Sequence, residues 1–400
     1  MQEPAMLRGI PRTVWVLGLI SLFMDISSEL VHGLLPILLV NGLGSSMLVV
    51  GLIEGAAEAT ALLVKVFSGA LSDYFGKRKG LLLLGYGLGA LSKPLFPLAG
   101  SASAVMTARV LDRIGKGIRG APRDALVADV TPAASRGAAF GLRQSLDSVG
   151  AFIGPLLAVL LMLWLSNDIQ LVMWFAVLPA GIAVALIVFG VHEPAGQPSA
   201  GQLRWPIRRA SLRLFPAAFW WVALIGAVFT LARFSEAFLV LRAQQSGMPL
   251  ALIPLVMVIL ALCYLLSAYP VGQLSDRIGR HGLLAAGLGL LIIADLLLAM
   301  NGSLLWVLLG VAVWGLHLGF TQGLLAAMVA DSAPAALRGT AFGVFNLLSG
   351  LAMLLASVLA GWLWQTFGAA TCFYSGALLA MLAWLLLRLR PARTGYPVSP

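Results

Sequence analysis

Long apolar runs separated by short polar breaks organise the whole chain. They cover 14–40, 47–71, 80–99, 103–130, 138–165 and 170–191, then, after a longer polar stretch, 217–242, 251–274, 282–300, 303–330, 339–364 and 369–390. A helix of about 20 residues crosses the hydrocarbon core of a bilayer, and each run is close to that length or longer. Strict alternation of apolar and polar positions is missing, so a β-barrel is not expected. The pattern predicts an all-α integral membrane protein with twelve transmembrane helices and both termini on one side.

Composition agrees with that reading. Sixty per cent of the 400 residues are hydrophobic and 10% are charged, against about 25% charged in soluble domains. Forty-four glycines favour closely packed membrane helices. The net charge of +10 would suit nucleic-acid binding, but its distribution points elsewhere. Lys77, Arg78, Lys79, Arg136, Arg204, Arg208, Arg277, Arg280, Arg338 and Arg388 all fall on one side of the predicted spans. The connections 41–46, 100–103, 166–170 and 301–303 on the other side are nearly free of basic charge. Such a bias marks the basic side, and with it both termini, as cytoplasmic, and no nucleic-acid partner is expected. The first run carries Asp25 and Glu29 and has no small-residue cleavage site after it, so it reads as a span and not as a signal peptide. Cys263 and Cys372 lie in apolar runs without metal or disulfide spacing, and neither a metal nor a cofactor is expected.

Charged residues at membrane depth are functional candidates by default. In the fourth run Arg109, Arg113, Lys116, Gly120 and Arg123 recur at helical spacing and share a face. They could form an anion-attracting cavity wall, or pair with acids on neighbouring helices. Asp112 stands four before Lys116, within reach along the helix. Asp25 and Glu29 share a face of the first helix with His32, and Glu54 and Glu58 repeat the spacing in the second, followed by Lys65. Desolvation disfavours a charged carboxylate, so buried acids can exchange protons near neutral pH. Asp25, Glu29, Glu54 and Glu58 are therefore the proton-coupling candidates. The alternative is neutralisation, because six acids, these four with Asp112 and Asp147, face six bases: Lys65, Lys93, Arg109, Arg113, Lys116 and Arg143. The later spans are sparser. Arg233 and Glu236, three apart, can pair across a turn; Asp295 is placed near the outer surface without a role; His317 and Gln322 lie on the tenth span. The substrate-cavity candidates are His32, Arg109, Arg113, Lys116, Arg143, Arg233, Glu236, His317 and Gln322.

The chain repeats itself. GALSDYFGKRKG from Gly69 returns as GQLSDRIGRHG from Gly272, and ADVTPAASRGAAFG from Ala128 returns as ADSAPAALRGTAFG from Ala330. Asp73 to Asp276 is 203 positions, while Asp129 to Asp331 and Arg136 to Arg338 are each 202. One offset shared by unrelated motifs indicates duplication into two six-helix halves with the same orientation, related by an axis along the membrane normal. The expected division is 1–192, a cytoplasmic linker 193–215 rich in Pro, Gly and Arg, and 216–400.

On these motifs the chain resembles the major facilitator superfamily. Gly69, Asp73, Gly76, Lys77 and Arg78 match its loop pattern, with Tyr74 at the first basic place. Gly272, Asp276, Arg277, Gly279 and Arg280 match it again, with His281 in the last place. Arg113 and Gly117 match the fourth-span pattern, and Gly150, Gly154 and Pro155 the fifth-span pattern. The resemblance implies a latch between the halves formed by the repeated loops with Asp129, Arg136, Asp331 and Arg338. It also implies a close-packed fifth span of the kind associated with antiporters, in the inner membrane of a bacterium. The expected function is proton-coupled secondary transport of a small organic solute by alternating access, with efflux by proton antiport preferred. The alternative is uptake or exchange of an organic anion held by Arg109, Arg113 and Lys116, and a remote one is a non-transporting sensor. No nucleotide-binding loop or catalytic constellation is present in the sequence, so an enzyme is not expected. The expected partners are the solute, protons and the bilayer, for a monomeric protein.

Overall fold

The computed structural model describes residues 10–75, 77–132, 135–192, 212–278, 280–300, 303–334 and 337–389. These residues form helices α1 (Arg12–His32), α2 (Met47–Phe75), α3 (Lys79–Ser92), α4 (Ala102–Val130), α5 (Arg136–Trp164) and α6 (Val177–Gly190). They are followed by α7 (Ala217–Ala232), α8 (Ala237–Gln245), α9 (Leu255–Ile278), α10 (Arg280–Ala299), α11 (Leu304–Ser332), α12 (Arg338–Phe367) and α13 (Ala369–Arg388). Helices α7 and α8 together make the seventh predicted span, interrupted at 233–236. Among the described residues ten helical segments are long and apolar enough to cross a membrane. The other two predicted spans are α3, of 14 residues, and α4, whose many charges lower its hydropathy. The protein is an all-helical, multi-pass membrane protein, with α1 to α6 forming its first half and α7 to α13 its second.

The connections at the two ends of the bundle differ as the charge bias requires. The neutral end turns tightly: Gly44, Gly247 and Gly368 adopt positive φ there, as do Ser166 and Asn167, conformations that glycine takes without steric penalty. The opposite end, which carries Lys77, Arg78 and Lys79, is the basic end. Most of the linker between the halves, 193–211, lies outside the described residues.

Small residues set where backbones meet. Helix α5 lies on α1 so closely that a Cβ at Gly150 would stand 2.6 Å from the Leu22 carbonyl oxygen, and one at Gly154 would stand 2.7 Å from that of Ile26. The halves meet along α2 and α12. A Cβ at Gly51 would collide with the Ser357 carbonyl oxygen, and one at Gly361 with that of Met47. One helical turn further on, the same notional atom at Gly55 would sit 3.0 Å from the Leu354 oxygen, and at Gly350, about three turns from Gly361, it would sit 3.4 Å from that of Ala59. The approach is therefore tightest at the neutral end and loosens toward the basic end. Leu48 N donates to Gln365 Oε1 at 3.3 Å across the same seam, and Gly33 faces Pro254. The conformer is sealed at the neutral end.

This seal has no room for side-chain carbon at Gly51. Gly51→Val should destabilise the neutral-end-closed conformer and leave the protein in the membrane. Ser235 is buried in this conformer. In a background free of Cys263 and Cys372, Ser235→Cys should react with a maleimide several-fold faster when Gly51→Val is present. Equal labelling rates would show that the glycine contact does not hold the seal.

Candidate functional site

Three groups of side chains fill the first half at membrane depth. Nearest the seal, Arg109 Nη2 donates to Glu54 Oε2 at 2.7 Å, with both side chains about 1% exposed. His32 joins the same carboxylate through Nε2 at 3.6 Å and reaches Glu29 through Nδ1 at 3.4 Å. Ser235, in the interruption between α7 and α8, donates to Glu54 at 3.5 Å and so ties the second half to this group. The second Glu54 oxygen is buried with no hydrogen-bond partner among the described residues.

The middle group is built on Asp112. Lys93 Nζ donates to Asp112 Oδ1 at 2.7 Å and to Ser28 Oγ at 3.0 Å. Arg113 stands between Asp112, at 3.9 Å, and Glu58, at 3.3 Å. Asp112 thus does not pair with Lys116 four residues on. The fully buried ammonium at the end of α3 takes its carboxylate, since an uncompensated charge there would be far more costly than an exposed one left alone.

Toward the basic end, Arg143 pairs with Asp147 at 2.5 Å, and Arg123 reaches Asp124 at 3.2 Å and Asp147 at 3.7 Å. Arg123 also donates to Ser21, whose hydroxyl meets that of Tyr86. The Arg119 guanidinium lies 4.6 Å from the centre of the Tyr86 ring. Arg119 is buried, with the aromatic ring against its guanidinium in place of solvent.

These groups surround a cavity of 570 Å³ between the halves. Asp25, Glu29, Glu58, Lys65, Lys116, Arg119, Arg123 and Asp147 line it from the first half, and Ala261, Tyr264 and Gln322 from the second. Of the nine substrate-cavity candidates, only Lys116 and Gln322 are on its wall. Arg109 and Arg113 are behind it, committed to Glu54 and Glu58. Arg143 is committed to Asp147. Of the four proton-coupling candidates, Asp25, Glu29 and Glu58 reach the wall. Among the described residues Asp25 has no cation within 4 Å and no hydrogen-bond partner, in contrast to every other acid of the three groups.

The second half is not arranged as its sequence suggests. Arg233 and Glu236 make no ion pair within 4 Å because the helix is interrupted between them. Arg233 lies instead over the Phe229 ring at 5.6 Å. His317 is fully buried, with Nδ1 2.8 Å from the Gly287 carbonyl oxygen, beside Phe229 and Trp314. Asp295 is not near the surface: it is fully buried, and neither carboxyl oxygen has a hydrogen-bond partner among the described residues.

At the basic end the two copies of the repeat make the same contact. Arg78 pairs with Asp129 at 3.3 Å, and Arg280 pairs with Asp331. Arg136 and Arg338 each donate to a carbonyl oxygen shortly before them in the chain, Thr131 and Ala330. Gly76 and Gly279 lie outside the described residues, as do the side chains of Asp73, Asp276 and Arg277. Gly69, Lys77 and Gly272 lie at this same end.

A helical membrane bundle with a charged cavity, an internal repeat and paired basic loops at one end has a counterpart among known families. The family model of the Major Facilitator Superfamily matches residues 17–259 and 237–400. The chain belongs to the Major Facilitator Superfamily. It is 32% identical over 386 residues to the MFS-type transporter MJ1317 of Methanocaldococcus jannaschii, covering 95% of each chain. A shorter match, 33% over 159 residues, joins it to the multidrug resistance protein MdtH of Proteus mirabilis, covering 40% of this chain and 38% of that one. Among solved structures, the nucleoside transporter NupG superposes with a TM-score of 0.74 at 14% identity, over 94% of this chain and 97% of that one, a likeness of fold. The superfamily places the protein among transporters, so the cavity is the candidate solute site.

Sequence alone had no signal for Ser235, Ser21, Tyr86 or Tyr264, since each matters only through a partner far along the chain. Burial makes the Glu54–Arg109 pair sensitive to the loss of either partner. Removing one partner of a buried pair costs about 3–5 kcal/mol, while replacing both with apolar residues of similar size is often neutral. Arg109→Met should therefore lower the melting temperature more than Arg109→Met combined with Glu54→Leu, measured on detergent-purified protein. A double variant less stable than the single one would show that the pair does not compensate itself.

Proposed function

We propose that the chain is a proton-coupled secondary transporter that moves a small organic solute across the membrane by alternating access, with export by proton antiport as its direction. The observation that carries this is Asp25. Among the described residues it is the one acid of the first-half groups on the cavity wall with no basic side chain within 4 Å. A carboxyl free of an ion pair takes up and releases protons more readily than one locked to a guanidinium. Glu54 and Glu58 are locked in this way; their part is to compensate buried bases. Glu29 sits between the two classes, joined to Glu54 only through His32.

The coupling has a physical route. Asp25 and Glu29 are one turn apart on α1, and α5 packs against that helix at Gly150 and Gly154, next to both Cβ atoms. A change of charge at Asp25 alters the field on Asp147 and Lys116 across the same cavity. The seal lies on one side of this group and the cavity extends on the other toward Arg123 and Gln144. The bias of positive charge supports a cytoplasmic side for both termini and for the paired basic loops. Rocking of the halves then exposes the cavity to the other side once the α2–α12 contact opens and the basic ends of the halves close on one another, which is the bistable element that alternating access needs. The similarity to the multidrug resistance protein MdtH supports the export direction. A second reading, uptake or exchange of an organic anion, is supported by the unpaired lysines of the wall.

In proteoliposomes with an imposed pH gradient, the wild type should show solute flux driven by the gradient. Asp25→Asn should abolish gradient-driven accumulation and keep solute exchange at equal pH. Undiminished accumulation in Asp25→Asn would remove the residue from the coupling mechanism, and no response of any flux to the gradient would remove proton coupling altogether.

A further inference from the structure

The cavity wall holds two ammonium groups with no carboxylate within 4 Å among the described residues. We infer that Lys65 and Lys116 together bind the anionic group of the transported solute, and that the solute is an amphipathic organic anion. This rests on the transporter reading above and narrows its substrate class.

The other bases of the first half are already occupied. Lys93, Arg109, Arg113, Arg123 and Arg143 each have a carboxylate within 4 Å. Arg119 is stacked on Tyr86. Among the described residues Lys65 and Lys116 have neither an ion pair nor a side-chain hydrogen bond, and both side chains are exposed to the cavity. The bases picked out by spacing, Arg109 and Arg113, are spent on Glu54 and Glu58.

Helix packing brings the two lysines into one stretch of the wall. A Cβ at Gly120 would stand 3.9 Å from the Lys65 Cε. Gly120 is one turn beyond Lys116 on the same face of α4. Helices α2 and α4 come together at Gly117, where a Cβ would meet Val64 and the Ala61 carbonyl oxygen. That close approach lays the Lys65 stem across α4 and brings its head into the part of the cavity that Lys116 enters. The Lys65 stem therefore passes within van der Waals reach of Gly120.

The charge balance of the half favours an anion at this place. The first-half groups hold seven acids, Asp25, Glu29, Glu54, Glu58, Asp112, Asp124 and Asp147. They hold eight bases, Lys65, Lys93, Arg109, Arg113, Lys116, Arg119, Arg123 and Arg143. The surplus is one positive charge, and it becomes two when Asp25 carries a proton. With Asp25 ionised, an anion on the two lysines restores neutrality in a poorly screened space. Lysine suits a site that must also release its ligand, because an ammonium is a point charge without the bidentate grip of arginine.

The remaining wall suits the rest of the solute. Opposite the lysines the second half offers Ala261, Tyr264 and Gln322, and the first half adds Leu62 and Ala151. An apolar or aromatic body packs there with one polar contact at Gln322. The 570 Å³ of the cavity falls in the range of about 300–1,000 Å³ usual for drug-sized ligands.

Three probes with one body separate charge from shape: phenylbutyrate, its neutral amide and phenylbutylamine. Titration calorimetry and thermal shift on the detergent-purified full chain should show the carboxylate binding at least tenfold more tightly than the amide, and the amine more weakly than both. Lys65→Gln and Lys116→Gln should each reduce that acid-over-amide preference several-fold, and together abolish it, with amide binding unchanged. Lys116→Arg should keep the preference. The proposal is overturned by no carboxylate binding at millimolar concentration, by equal binding of acid and amide, or by an unchanged preference in a monodisperse double variant. Proteoliposome flux separates the two readings. Lysine-dependent binding of phenylbutyrate without flux of any probe keeps the anion site and removes transport. Flux of a solute that ignores both lysines removes the site and leaves transport standing.

Discussion

A charge in a low-dielectric interior must find its opposite, and the first half of this protein is arranged around that requirement. Arg109 meets Glu54, Lys93 meets Asp112, Arg113 bridges Asp112 and Glu58, and Arg143 meets Asp147. These pairs dictate which helices stand next to one another, since the partners come from different helices in most of them. They also define function by subtraction. A base that has its acid is structural, and a charge left without one on a cavity wall is available to a solute or a proton.

The second constraint is how closely two backbones can approach. Glycines on α2 and α12 let the halves touch carbonyl to Cα at the neutral end, and the contact loosens toward the basic end. The cavity lies beside α2, with α9 and α11 forming its second-half wall. Ser235 connects the two constraints, because the interrupted seventh span turns its hydroxyl toward Glu54, the acid that anchors the buried network. A movement of the second half therefore reaches the charges of the first through a hydrogen bond as well as through packing. At the basic end Arg78–Asp129 and Arg280–Asp331 repeat one contact, each within its own half.

Much of the architecture is legible along the chain. Apolar length, the one-sided basic loops and the shared offset of two motifs lead to the duplicated helical bundle without any three-dimensional information. Spans three and four are less legible: α3 is short, and α4 is so charged that its membrane placement rests on the cavity it lines. The seventh span hides its interruption because ARFSEAF contains neither proline nor glycine. Arg233 and Glu236 therefore read as a helical pair, which the broken helix does not allow.

For the site, sequence determined the inventory and tertiary structure decided the assignments. Helical spacing puts Arg109, Arg113 and Lys116 on one face, and that face is real, but spacing cannot say which member meets an acid on another helix. Asp112 takes Lys93, nineteen residues back, in preference to Lys116 one turn away, because the burial of Lys93 makes that pairing worth more. Along the chain Lys65 is one of several counter-charges, and it becomes a cavity residue only because Gly117 draws α2 onto α4. Such facts depend on distances between segments far apart in the chain. Local periodicity carries the helices, their membrane placement and their faces; the low dielectric and the close packing of those helices select which charges remain free.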